Sequence, residues 1–131
     1  MKERAQYQTS TSMNDGVLEI VVTGRVTELD IPHLQKEFKS YREAECYRML
    51  VDIRALDKSV NPAILFFVIC PERVMDKTAI VDISENKKYK SFWENLANHH
   101  MIKLKWFCNI DDARDWLKYI LLHSLKDYLA T

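Results

Sequence analysis

The sequence predicts an α/β domain built on a largely parallel sheet. Short β-branched runs alternate with stretches of helical periodicity, in the order strand, strand, helix, strand, apolar segment, strand, helix, strand, helix. That alternation is the pattern of parallel strands joined by right-handed crossovers. The chain has 131 residues, enough for one domain with its own core, and residues 1–131 are expected to form a single unit. Its 47% hydrophobic and 29% charged content is that of an ordinary globular protein.

The elements follow in chain order. VLEIVVT, Val17 to Thr23, is apolar and β-branched and comes after the turn signal Asn14-Asp15-Gly16. The preceding AQYQTSTSM is a candidate second arm of a hairpin. Asp30 stands where a side-chain oxygen caps a helix, and Ile31, Leu34, Phe38 and Tyr41 then recur at helical spacing. RMLVDI, Arg48 to Ile53, and TAIVDI, Thr78 to Ile83, read as buried strands, one of them central.

Between these two strands lies Asn61 to Pro71, NPAILFFVICP, which carries no charge. Two parallel strands need a crossover, usually helical. Asn61 suits a helix cap and Pro62 the first helical position, while Pro71 kinks or ends the helix. Tyr89, Phe92, Trp93 and Leu96 mark the next helix face. IKLKWF, Ile102 to Phe107, alternates with Lys103 and Lys105 on one side. This is a half-exposed edge strand, where lysines discourage further pairing. Asn109 caps a last helix with Asp111 and Asp112 in its first turn, favoured there by the helix dipole. Its apolar positions are Ala113, Trp116, Leu117, Ile120, Leu121, Leu125 and Tyr128.

Several functional classes find no support. The 19 basic and 19 acidic side chains cancel, which gives no electrostatic case for nucleic acid or an anionic membrane. Two glycines cannot build a phosphate cradle, and no cofactor is expected. Cys46, Cys70 and Cys108 are far apart without a CxxC and read as reduced thiols. With a polar N-terminus and no bilayer-length apolar run, a cytoplasmic location without a transmembrane segment is expected.

The candidate chemistry is sparse. Asp52 and Asp82 stand near the carboxyl ends of two strands predicted to be parallel, the edge where open α/β sheets bind ligands. Two neighbouring carboxylates can also do acid–base work. The plain alternative is that each accepts hydrogen bonds from its own following turn. His99-His100 lacks a third ligand at any metal-site spacing, so no metal is expected. Trp93, Trp106 and Trp116 invite comparison with a base-stacking platform, but the first and last fall on apolar helical stripes and read as core. Cys70 and Cys108 follow apolar runs and read as small buried hydrophobes. No nucleophile–base pair is visible, so no enzyme is expected.

The apolar segment constrains the packing. Leaving five of its large side chains in water forfeits roughly 8–15 kcal/mol, comparable to the whole stability of a domain, about 5–15 kcal/mol. One face must pack on the sheet, and a helix apolar all round needs cover on its other face as well. Ile64, Phe67, Val68 and Pro71 form one stripe, expected to be core. Leu65, Phe66 and Ile69 lean away and are the expected contact surface; the reverse assignment stays open.

GVLEIVVTGRVTELDIPHL, YRMLVDIRAL, KTAIVDISENKKYKSFWENLA and KLKWFCNIDDARDWL, in this order and spacing, make almost the whole chain resemble the SpoIIAA-like branch of the STAS family (sulfate transporter and anti-sigma-factor antagonist domains). The resemblance implies a four- to five-stranded sheet with about four helices packed mainly on one face. It also implies an architectural likeness to Sec14/CRAL-TRIO lipid carriers. The best-understood STAS members are phosphorylation switches in partner exchange, with the switch serine in a D-S-S-G-like motif. Here that region reads Asp57-Lys58-Ser59-Val60-Asn61-Pro62-Ala63. The motif is absent and Ser59 is out of register, so no phosphoserine role transfers. The expected function is a non-enzymatic regulatory or ligand-binding module acting through a protein partner or a homodimer formed by the apolar helix. The alternative is a binder or carrier of an apolar or lipidic ligand, or of a membrane surface, through helix 62–71. The candidate surface comprises Leu65, Phe66 and Ile69 with Asp52, Asp57, Ser59 and Asp82.

Overall fold

In the computed structural model, which describes residues 6–42, 48–58, 61–70 and 77–118, the chain begins with a hairpin. Asp15 (φ 52°) and Gly16 (φ 76°) both adopt left-handed backbone. This is the two-residue turn whose twist matches that of paired strands. It joins β1 (Tyr7–Asn14) to β2 (Val17–Val26) in unbroken antiparallel register, from Tyr7 opposite Gly24 to Asn14 opposite Val17. Gly24 has φ 89°, and a Cβ there would run into the Gln6 carbonyl oxygen. Only glycine fits this position.

β2 then serves two parallel partners in succession. Leu18–Val21 pair with β3 (Arg48–Asp52), and Gly24–Val26 pair with the short β4 (Leu56–Lys58). β3 pairs in parallel with β5 (Lys77–Val81), and β5 with β6 (Leu104–Phe107). The sheet order is β1-β2-β3-β5-β6, with β4 beside β2. RMLVDI is therefore the central strand, and all five residues of β3 are buried. The lysine-bearing strand β6 lies at one edge as expected, with Leu104 and Trp106 buried and Lys105 exposed. β4 is a strand beyond those expected: three residues with one apolar side chain carry no legible signal.

The strand alternation sorts side chains onto two faces. Ile20, Met49, Val51 and Ile80 face α1 (Ile31–Arg42), α2 (Pro62–Ile69) and α3 (Lys90–His99), packing among Leu34, Phe38, Phe66 and Trp93. Val17, Leu50, Ala79 and Val81 face the opposite way, against Ala113 and Leu117 of α4, a helix over 110–118. Among the described residues, three helices on one face and one on the other agree with helices placed mainly on one side.

Caps follow the sequence at two of three sites. The Asn61 side chain accepts the Ala63 N–H at 2.8 Å. The Asn109 side chain accepts those of Asp111 and Asp112 at 2.8 and 3.2 Å. Asp30 differs. Its carboxylate accepts the Thr27 N–H at 2.9 Å and the Thr27 hydroxyl at 3.1 Å. It closes the single turn Glu28–Asp30 ahead of α1 instead of capping α1 itself. The α2 C-terminus is served from outside: the buried Arg42 guanidinium donates to the Ile69 carbonyl at 3.2 Å. A cation there satisfies a carbonyl that no helical N–H reaches.

β1 is clasped to α1 through the Glu37 carboxylate, which accepts Tyr7 OH at 2.9 Å, Thr9 Oγ1 at 2.6 Å and Tyr41 OH at 3.2 Å. Burial, followed by the hydrogen bond to Glu37, pushes the Tyr7 phenol well above its usual range, so it acts here as a donor. Trp93 is buried as expected of a core residue, and Trp106, which carried no such expectation, is buried too; Trp116, also expected in the core, is only half-buried, with its ring centroid 5.7 Å from that of Phe107. Cys46, Ser59, Pro71 and positions 120–128 of the last predicted helix lie outside the described residues.

Candidate functional site

The two strand-end aspartates do not form a pair. Asp52 sits opposite Val81 across the β3–β5 ladder, one residue out of step with Asp82. A one-residue offset places successive side chains on opposite faces. Asp52 shares the face of Leu50 and α4, while Asp82 shares that of Ile80 and α3. Each is tied locally. Asp52 accepts the Arg54 N–H at 3.1 Å and its guanidinium at 3.0 and 2.8 Å. Burial works to raise its pKa, but the bonds from Arg54 together hold it below the usual carboxylate value. Asp82 accepts the Ile83 N–H at 2.8 Å and the Asn86 amide at 3.1 Å. Shared acid–base chemistry between them is excluded by this geometry.

A charged pair that the fold does bring together is Glu19 with Arg114. Glu19 lies within β2 on the α4 face, its side chain only 7% exposed. Arg114 reaches it from α4 with two hydrogen bonds of 2.9 and 2.8 Å. Those bonds, against the opposing effect of burial, hold the Glu19 carboxyl below its usual value. Asn14, Asp15, Asp111 and Lys118 border the same concavity of about 210 Å³. On the same face Arg48 donates to the carbonyls of Leu117 and Asp15 at 3.3 and 3.2 Å, joining α4 to the hairpin turn. A second, open depression beside β6 is bordered by Lys77, Lys103, Lys105 and Trp116, with the Lys77 ammonium 5.9 Å from the Trp116 ring centre.

The apolar helix resolves its two stripes in the reverse of the expected sense. Leu65, Phe66 and Ile69 are at most 2% exposed and belong to the core. Phe66 lies 6.1 Å from Trp93, ring centre to ring centre. Ile64 and Phe67 face outward, 36% and 42% exposed, while Val68 is buried. The physical reason is that residues i, i+1 and i+4 of α2 reach the sheet and α3 together, which leaves i−1 and i+2 outside. The His100 ring, just past α3, lies edge-on to Phe67 with centroids 5.3 Å apart. His99 and His100 are in contact with each other, and no group of three metal-ligating side chains occurs among the described residues. Asp57 is exposed.

The cysteines divide. Burial pushes the Cys70 thiol up to about 12, whereas Cys108 is exposed, contrary to the expectation of a buried hydrophobe. It follows β6 at the sheet edge, where the chain leaves the core. Because the thiolate is the nucleophile, iodoacetamide at mildly alkaline pH should label Cys108 in the folded protein and leave Cys70 unmodified. Peptide mapping that finds Cys70 labelled as fast as Cys108 would contradict this burial.

Set beside solved structures, the architecture matches an anti-sigma factor antagonist from Mycobacterium paratuberculosis with a TM-score of 0.65. The identity is 18%, over 86% of this chain and 94% of that one. A DUF3478-family protein with a SpoIIAA-like fold from Shewanella loihica PV-4 matches with a TM-score of 0.61 at 18% identity, over 89% of this chain and 98% of that one. The chain has the SpoIIAA-like fold. No family model and no curated protein matches the sequence. No described helix is long and apolar enough to cross a membrane.

Two features escaped the sequence reading. Glu19 was visible as the one charge inside VLEIVVT, an interruption that marks a partnered buried carboxylate. Glu37 carried no signal, because it stands among other polar residues of α1.

Proposed function

We propose that the chain is a non-enzymatic regulatory module that docks a protein partner on the outer face of α2. The observation that carries this is the exposure of Ile64 and Phe67 on a helix whose other large side chains are buried. An aromatic anchor beside a second large apolar side chain is the kind of group that dominates protein interfaces. The His100 edge against Phe67 limits the rotamers the ring can take, which lowers the ordering cost of binding. The Mycobacterium paratuberculosis protein of similar fold is an anti-sigma factor antagonist, a regulatory role that agrees with this reading. The contact surface expected on Leu65, Phe66 and Ile69, for a protein partner and for an apolar ligand alike, is occupied by the core, and Ile64 and Phe67 take its place.

The double variant Ile64→Ser/Phe67→Ser separates docking from folding. Half-exposed sites tolerate such changes within about 1 kcal/mol each, so the variant should melt cooperatively near the wild-type temperature. A protein captured from native-cell extract by the immobilised wild type should bind the variant at least about tenfold more weakly, a loss of about 1.4 kcal/mol. A partner that binds both forms equally overturns the docking surface.

A further inference from the structure

We infer that the outer edge of β1, which no strand among the described residues covers, pairs with the β1 edge of a second copy, joining two sheets across a two-fold axis. β1 is outermost in the sheet and eight residues long. It has no bulge, since every residue from Tyr7 to Asn14 has a single partner on β2. From Gln6 to Asn14 the sequence QYQTSTSMN holds no charge, no proline and no glycine. Those are the devices by which edge strands avoid a partner: short length, lysine, proline and bulges. The opposite edge uses two of them, for β6 has four residues and carries Lys105.

The phase of the ladder identifies the free groups. The Arg25 N–H bonds the Gln6 carbonyl at 2.9 Å, and the Gly24 N–H turns away from β1 to the Ala55 carbonyl. In an antiparallel pair the bonded residues alternate. Gln8, Ser10, Ser12 and Asn14 therefore bond β2, and Tyr7, Thr9, Thr11 and Met13 direct their backbone N–H and C=O outward.

The second copy is favoured as occupant by the chemistry of the strand itself. A two-fold antiparallel pairing sets a segment against its own reversed sequence, so a charge at or beside the axis would lie near its equal. The neutrality of β1 removes that repulsion. With the axis at Ser10, Thr9 faces Thr11 of the second copy, Tyr7 faces Met13, and Ser10 faces its own equivalent. Threonine and serine pairs across strands are favourable. Each outward-bonding pair exchanges two hydrogen bonds, about eight in all. The Glu37 clasp on Tyr7 and Thr9 holds the strand straight from the α1 side, so the edge is ordered before it pairs. This surface is separate from the outer face of α2.

Sedimentation velocity on the full chain, with variants at two positions, decides the matter. The wild type should be dimeric at micromolar concentrations. Thr11→Pro removes an outward N–H and no bond to β2, as edge strands allow; it should raise the dimer Kd at least about 100-fold with an unchanged far-UV spectrum. Ser10→Lys and Ser10→Glu should each be monomeric and should form a heterodimer when mixed. That result tests the register without depending on how proline is tolerated. A monomeric wild type, a dimer that survives both Ser10 variants, or variants that stay monomeric when mixed would each overturn the pairing.

Discussion

Phe66→Ser should cost about 3–5 kcal/mol of stability, and Phe67→Ser less than about 1 kcal/mol, although the two residues are adjacent and identical. Phe66 is fully buried. Its ring lies 6.1 Å from Trp93 and 5.2 Å from Phe67, centroid to centroid. Replacing it with serine opens a cavity and places a hydroxyl where no partner is arranged. Phe67 is 42% exposed and gives up only its edge contacts with the Phe66 and His100 rings. Urea denaturation of each variant measures the difference, provided the slope stays that of the wild type. Equal losses would mean that both faces of α2 are covered, and the orientation of the helix would have to be revised.

Arg114→Ala should cost about 2–3 kcal/mol near neutral pH by leaving the Glu19 carboxylate buried without its partner. The expected loss is below that for a fully buried pair because the Arg114 side chain is 45% exposed and water supplies part of what it gives. The pH dependence carries the signature. In the wild type, Arg114 holds the folded-state pKa of Glu19 below its ordinary 4.5. The pair thus contributes stability above that value and loses it as pH falls through the lowered pKa. Without Arg114, burial is the main remaining influence and raises the Glu19 pKa instead. The variant then favours the protonated form, so the stability gap should narrow as pH falls from neutral through the raised pKa of the variant and close below the lowered pKa of the wild type. A gap of constant size would assign the loss to the packing of the arginine stem.

The fold was legible wherever one residue pattern had one physical meaning. RMLVDI and TAIVDI are too apolar for any place but the middle of a sheet, and they became β3 and β5. Asn61 before Pro62, and Asn109 before Asp111, announced helix starts because few other roles suit those residues in that order. The orientation of α2 was not legible for a related reason. In PAILFFVI every position is apolar, so no polar residue marks the outside, and only the placement of the sheet and α3 breaks the tie. The relation of Asp52 to Asp82 was hidden because it depends on the register between two strands, and a sequence gives the period of each strand but not their offset. Glu19 and Arg114 stand 95 positions apart, and no local pattern spans that distance.

The double partnership of β2 also bears on how fast the molecule assembles. Its contacts with β1 close through a two-residue turn, and hairpins of this kind form in about 1–10 μs. Its contacts with β3 and β4, and those of β3 with β5, join segments that are remote along the chain. Such pairings must first overcome the entropy of closing long loops, which slows folding as contacts become less local. The hairpin is therefore complete while the centre of the sheet is still open, and β2 waits with its inner edge unpaired. By the same argument the slower event is closing the long loop that brings RMLVDI to that edge, so a strand buried at every position in the native molecule joins after the hairpin.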